Sequence, residues 1–182
     1  MQALSEPGVE GRSAWQRFES LYRSSRDDVY AYVMSLLRDP ASAEDVTALA
    51  FERAYRRRRT FDRRRGEERA WLFGIARNAA LDELRRRQRL ASLAFDPAGE
   101  GNTDGPLSAG GDDDDEVILR RTTVRHALSE LSGRDRELIA LKFHAGLTNA
   151  EIARVLGISE SNAGTLLHRT IQKLRKACNA PA

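Results

Sequence analysis

Residues 149–168 have the types and spacing suited to reading duplex DNA. Ile152, Ala153 and Leu156 recur on one helix face, and Gly157 stops that helix. Ile158 plugs a turn, Ser159 suits an N-cap, and Ala163 and Leu167 bury the inner face of the next helix. Small Ala153 lets the two helices cross closely, and Gly157 permits the sharp turn between them. The spacing predicts a helix-turn-helix that projects Ser161, Asn162, Thr165, His168 and Arg169 toward a major groove. Asparagine pairs with adenine edges and arginine with guanine, whereas serine and threonine discriminate less. Gly164 costs this helix about 1 kcal/mol relative to alanine and would let it lie closer to the DNA. Leu166 either packs inward or touches a thymine methyl.

A second group has different chemistry. Phe61, Trp71 and Phe73 flank a loop containing Arg63, Arg64 and Arg65, close to Asn78. Holding unstacked bases requires aromatic faces, hydrogen-bonding side chains and cations for phosphate. For a lone aromatic, core burial is the simpler role, and Trp71 stays open between packing and DNA contact. The runs Arg56–Arg59, Arg63–Arg65 and Arg85–Arg87 lack the alternating signs of an ordinary solvated helix. Most of these arginines read as phosphate contacts, which position a protein without reading sequence. His126, His144 and His168 are scattered, Cys178 is the one cysteine, and no phosphate-cradling loop or nucleophile arrangement occurs. The expectation is no metal, no cofactor and no enzymatic chemistry.

The net charge of +3 conceals a division along the chain. Residues 53–89 carry fourteen arginines against five acids, residues 92–116 eight acids and no base, and residues 117–182 eleven bases against five acids. Two basic blocks around an acidic spacer suit two contacts on one polyanion. No apolar run approaches the ~20 residues of a membrane span, and residues 1–13 lack a signal pattern. A cytoplasmic protein without membrane insertion is expected.

The apolar periodicity is helical almost throughout, predicting an all-α chain of two small helical bundles. Trp15, Phe18 and Tyr22 mark a first helix; Val29, Val33 and Leu36 or Leu37 mark a second. Asp39-Pro40 opens a third, reaching about Arg58, and a fourth runs from about Glu67 to Arg89. Residues 1–13 read as a disordered lead-in, 14–91 as the first bundle, 92–115 as a flexible acidic linker and 116–178 as the second bundle. In the second bundle, Val117, Val124, Leu128 and Leu131 mark one helix, and Ser132 caps a helix bearing Leu138, Ile139, Leu141 and Phe143. Thr148 and Glu151 form a capping box, and a last helix spans about Glu160 to Ala177. Asp112–Asp115 reads either as part of a solvated spacer or as a mimic of nucleic acid.

Several strings resemble a known family: Phe18-Glu19-Ser20-Leu21-Tyr22, Ala43-Glu44-Asp45-Val46-Thr47, Trp71 through Asn78, Leu81-Asp82-Glu83-Leu84-Arg85, and Leu167-His168-Arg169 before Leu174-Arg175. In order and spacing they resemble regions 2 and 4 of the sigma-70 family, over about three quarters of the chain. Without anything like region 3, the pattern is similar to the extracytoplasmic-function (ECF) sigma factors. The resemblance implies a protein that binds RNA polymerase core, at its clamp and flap, and directs it to promoter DNA under the control of an anti-sigma factor. It implies clamp contact by Ala43, Glu44, Asp45, Thr47, Ala48 and Phe51, although Ala48-Leu49 replaces the polar pair common in the family. It implies a pocket for a flipped −10 base at Thr60, Phe61 and Asp62, read by Asn78, with Arg59, Arg63, Trp71, Arg77, Arg85 and Arg86 on the same DNA. It implies −35 contacts from Ser161, Asn162, Gly164, Thr165, His168, Arg169 and Lys173. Two other readings are a helix-turn-helix regulator acting without polymerase, and a nucleic-acid enzyme. The first leaves the region 2 strings unexplained, and the second lacks a nucleophile or metal cluster.

Overall fold

The computed structural model describes residues 9–59, 61, 62, 64, 66–93 and 115–179, and all regular structure among them is α-helical. The N-terminal group comprises α1 (Val9–Leu37), α2 (Pro40–Arg57) and α3 (Glu68–Leu93). The C-terminal group comprises α4 (Asp115–Ser129), α5 (Gly133–Phe143), α6 (Asn149–Leu156) and α7 (Glu160–Cys178).

The first helix corrects the sequence reading twice. The two helices expected around Trp15–Tyr22 and Val29–Leu37 are one, and α1 starts at Val9, inside the stretch taken as a disordered lead-in. Arg23 to Asp28 interrupts the apolar stripe but holds no glycine or proline, so the helix has no reason to stop. The polar interruption is a docking point instead. Arg69 of α3 donates to Ser25 Oγ at 3.0 Å and to Asp28 Oδ2 at 2.6 Å.

Helix α1 ends at Arg38, a non-glycine residue in the left-handed region (φ 53°), whose N–H bonds Met34 O at 2.9 Å. Asp39 then caps α2 by accepting from the Ser42 N–H at 3.3 Å, with Pro40 at the first helical position. The Asp39 carboxylate also receives Arg87 of α3 at 2.8 Å, and Arg87 reaches Leu37 O at 3.4 Å. One arginine thereby fixes the α1–α2 corner. Inside it, Tyr32 and Phe73 are fully buried and meet edge to face at 5.4 Å. The small residues Ala43, Ala50 and Ala54 of α2, and Ala76, Ala79 and Ala80 of α3, let the helices approach closely.

Caps organise the C-terminal group as expected. Ser132 accepts from the Asp135 N–H, Thr148 and Glu151 form a reciprocal capping box, and Ser159 accepts from the Asn162 N–H. Gly157 lies in the left-handed region (φ 69°, ψ 35°), the turn of the helix-turn-helix. Leu138, Leu141, Leu147, Ile152, Ala163 and Leu167 fill its core. Three apolar residues differ from expectation. Leu131 lies beyond the end of α4 and is buried, Val124 of α4 is exposed, and Phe143, the last residue of α5, is 65% exposed.

The two groups also pack on each other, α1 against α5 and α3 against α6, in one continuous core. Helix α3 extends two residues into the expected linker, and α4 takes in Asp115. The rest of that linker, with Asp112–Asp114, lies outside the described residues, as do residues 1–8. No described helix is long and apolar enough to cross a membrane.

The Arg87 corner makes a pH prediction. Hydrogen bonding from Arg86, opposed by partial burial and reinforced by Arg87, holds the Glu83 carboxyl at about 2, below its ordinary 4.5. Hydrogen bonding to Ser42, with Arg87 adding to it, depresses Asp39 in the same direction. A depressed carboxyl contributes stability that is complete above its unfolded-state value and lost as pH falls through the folded one. Urea unfolding of the native chain and Glu83→Gln should therefore differ most at neutral pH. The difference should shrink as pH falls from 4.5 toward 2, and a constant difference would refute this role for Glu83.

Candidate nucleic-acid interface

Helix α3 starts at Glu68, so Trp71, Gly74, Ile75 and Asn78 follow at intervals of three and four and share one face. That face opens a cavity of about 440 Å³, lined also by Arg57, Phe61, Asp62, Gly66 and, from α6, Arg154 and Val155. Phe61 and Trp71 are half-buried, their rings tilted 45° and centred 5.2 Å apart. Asn78 is exposed at the far end of the face. Asp62 accepts from the Arg64 N–H at 2.9 Å, which tightens the loop. Gly74 supplies the space, since nothing lies within 4 Å of a Cβ built there. The cavity has an aromatic wall, a hydrogen-bonding rim and basic neighbours, the combination that holds a flat heterocycle. Phe61, Asp62, Trp71 and Asn78 are brought together as the sequence suggested. Thr60 and Arg63 lie outside the described residues. Gly74 was not singled out, although the interval between Trp71, Gly74 and Asn78 pointed to it, and Arg57 had been read only as one of the phosphate-contacting run Arg56–Arg59.

The arginine runs have partners within the chain that the sequence reading did not include. Much of their charge is met within the chain: Arg56 by Glu52 at 2.6 Å, Arg85 by Asp82 at 3.4 Å, Arg86 by Glu83 at 2.7 Å and Arg87 by Glu83 and Asp39. Arg58 lies over the Tyr55 ring at 3.8 Å. Each partner sits three or four residues away or on a neighbouring helix, so reading the runs alone concealed it. Arg77 points across to α5, its Nε 2.7 Å from Glu137. Arg59 is exposed.

On α2, Glu44, Asp45 and Ala48 are exposed, whereas Ala43, Thr47 and Phe51 are buried. Buried Ala43 supports this face from behind. A groove of about 490 Å³ runs beside it, lined by Glu44, Thr47, Ala48 and Phe51 and, from α1, by Tyr22, Arg26, Asp27 and Tyr30. The Thr47 hydroxyl is buried there without a hydrogen-bond partner. The sequence reading missed the contribution of α1, because Tyr22 falls on its apolar stripe. It is 40% exposed and leans edge-on against Phe51 at 4.8 Å.

On α7, Ser161, Asn162, Thr165, His168 and Arg169 are exposed. The Thr165 hydroxyl donates back to Ser161 O at 3.0 Å. Lys173 is paired with Asp135 of α5 at 2.7 Å, beside a Thr170 bond to the same carboxylate. Leu166 packs inward against the core, and Gly164 turns toward Asn149 of α6 rather than outward.

Residues 21–90 match Sigma-70 region 2, and residues 121–174 match Sigma-70, region 4. SigL of Mycobacterium tuberculosis, an ECF RNA polymerase sigma factor, is 31% identical over 158 residues, 86% of this chain and 85% of that one. SigM of Bacillus subtilis, another, is 27% identical over 88% of this chain and 94% of its own length. The fold is that of the sigma factor RpoE, crystallised with the anti-sigma factor NepR from Bartonella quintana (TM-score 0.73, 22% identity, 92% of this chain and 99% of that one). It is likewise that of CnrH, solved with the cytosolic domain of CnrY (TM-score 0.63, 24% identity, 92% and 91%). The chain belongs to the ECF RNA polymerase sigma factors of the sigma-70 family. Its relatives are transcription factors rather than enzymes.

Gly164 makes a prediction specific to α7. A Cβ there would meet Asn149 Nδ2 at 3.4 Å, an ordinary contact. Gly164→Ala should stabilise the chain by up to about 1 kcal/mol through helix propensity. Chemical denaturation checks it, and a loss of stability would show that the α6–α7 contact cannot accept a methyl group.

Proposed function

We propose that this chain directs RNA polymerase core to promoters carrying −10 and −35 elements and starts transcription there, with no catalytic chemistry of its own. The cavity between Phe61, Trp71, Gly74 and Asn78 carries the reading: it suits an unpaired base of the −10 element. Arg59 and Arg64, on either side of Phe61 and Asp62 in sequence, are exposed and meet backbone phosphate, and Thr60 and Arg63 lie between them in the sequence. Arg85 exchanges its exposed partner Asp82 for phosphate at little cost, since such surface pairs contribute about 0–1 kcal/mol, and Arg86 offers phosphate the exposed edge of its guanidinium while Glu83, only 14% exposed, keeps it in place.

Residues 14–91 act as region 2, and Glu44, Asp45 and Ala48 meet the polymerase clamp. Residues 116–178 act as region 4 against the polymerase flap and the −35 duplex. Asn162 and Arg169 are the base readers there, and Ser161, Thr165 and His168 are accessory contacts. Residues 92–115 are the tether between them. The complex of RpoE with the anti-sigma factor NepR supports an anti-sigma factor as regulator here as well, and the cytoplasm, where core polymerase works, is the place of action.

The test is reconstitution with purified core polymerase lacking sigma, on a library of genomic promoters. Discrete transcripts that require this chain are expected; none on any promoter would refute the reading. Gly74→Leu separates pocket from fold. It gains roughly 0.8 kcal/mol of helix propensity and meets no neighbour at its Cβ, yet its side chain fills the cavity. It should fold at least as stably as the native chain, bind core normally and lose promoter opening, scored by permanganate reactivity. Unimpaired opening would remove the cavity from the mechanism.

A further inference from the structure

We propose that Trp15, Tyr55 and Arg58 form a second stacking platform for single-stranded DNA, which takes a further unpaired base of the strand entering the Phe61–Trp71 cavity, a role that rests on the proposed −10 function of that cavity.

The platform stands where the first turns of α1 meet the last turn of α2. Trp15 meets Tyr55 edge to face, with ring centres 5.7 Å apart at 86°. Phe18, one turn further along α1, meets Tyr55 at 5.1 Å and Phe51 at 6.5 Å. Phe18 is half-buried and joins the two helices at this point. Trp15 adds little to that seam, because 50% of it stays in water. Packing places an indole where most of its large surface is covered, so helix joining alone does not account for Trp15.

Arg58 supplies a second flat surface. Its guanidinium carbon lies over the Tyr55 ring, 3.8 Å from the centre, and its Nη1 donates to Tyr55 O at 2.7 Å. The two contacts fix a cation against the aromatic pair. Unpaired bases stack on guanidinium planes as well as on aromatic rings.

Position and charge select the occupant. The acidic pair Glu44 and Asp45 lies near the other end of α2, and Asp45 is about 15 Å from Tyr55 along the helix at 1.5 Å per residue. Tyr55 instead has Arg56, Arg57 and Arg58 beside it and exposed Arg59 just beyond. Part of this bias is ordinary, since cations favour a helix C-terminus, but the helix dipole does not call for an exposed indole. Cations interleaved with aromatic faces fit a polyanion that carries flat bases. Arg57, in the same last turn, lines the Phe61–Trp71 cavity. At about 100° per residue it lies on the side of α2 opposite Tyr55, so the two sites flank the helix end, roughly 10–12 Å across. A strand rising 3.4 Å per stacked nucleotide spans that width in about three nucleotides. The second base therefore sits within about three nucleotides of the one in the cavity.

The test measures binding of holoenzyme to fork promoters from which one base of the non-template strand at a time is removed, leaving its sugar and phosphate. The native chain is compared with Trp15→Ala, Trp15→Phe and Arg58→Lys. At one position near the cavity's own, removing the base should weaken native binding about five- to 150-fold, the size of one base–aromatic stack. Trp15→Ala should bind the intact fork more weakly by a similar factor and lose nothing further at that position, whereas Trp15→Phe should keep the dependence. Arg58→Lys keeps the charge without the plane and should reduce the dependence there. Native dependence on every base in Trp15→Ala would overturn the platform. So would a Trp15→Ala chain that loses affinity for core polymerase alone, which would place Trp15 on the clamp. The free chain gives a second reading, because Trp71→Phe leaves Trp15 as the one tryptophan. A mixed-sequence single-stranded 12-mer should quench its emission. Quenching alongside a holoenzyme that binds no fork would overturn the promoter reading and leave the platform standing; no quenching in that case would overturn both.

Discussion

The structure depends on how α3 divides its circumference. One side sends Leu72, Ala76, Ala79 and Ala80 into the core against α1 and α2. A second lines the cavity with Trp71, Gly74 and Asn78. A third carries Arg69, Phe73 and Arg77, four residues apart, toward α1 and the C-terminal group. At 3.6 residues per turn these sides cannot move independently. A rotation of α3 that improved its core packing would re-aim both the cavity and the inter-group ties. The corner built by Arg87, Asp39 and Leu37 O is what prevents that rotation.

Electrostatics divide along the same lines. Pairs on the outer surface, such as Arg85–Asp82 and Arg56–Glu52, are more than half exposed on both partners and rearrange freely when phosphate approaches. The Arg77–Glu137 pair is mostly withdrawn from water, and breaking it leaves a buried charge unmatched unless both groups move into solvent together. On the proposed reading the surface arginines serve binding, and the inward-facing one serves positioning. The same residue type plays opposite parts according to the carboxylates the fold places around it.

The sequence carried most of the local structure because local rules govern it. The capping box at Thr148 and Glu151, the left-handed Gly157 and the Asp39-Pro40 start all follow from residues within four positions. The cavity was half legible. Trp71 and Asn78 stood out by type, but Gly74 matters through the absence of a side chain, which composition does not flag. What stayed hidden was non-local. Ser25 and Asp28 read as a break between two helices because their partner, Arg69, lies more than forty residues away. Arg77 read as a DNA contact because Glu137, its partner, sits in the other half of the chain. The packing of the two halves had no signature in either half alone, since each supplies only one member of every tie.

The central claim, that the Phe61–Trp71–Asn78 face receives an unpaired base, is tested most directly by photocrosslinking. Holoenzyme is bound to promoter forks whose non-template strand carries 5-iododeoxyuridine at one position at a time. The account predicts crosslinking concentrated at one unpaired −10 position and mapping to the segment from Phe61 to Trp71. Crosslinks spread evenly along the open strand, or confined to other segments while the fork is demonstrably open, would contradict it.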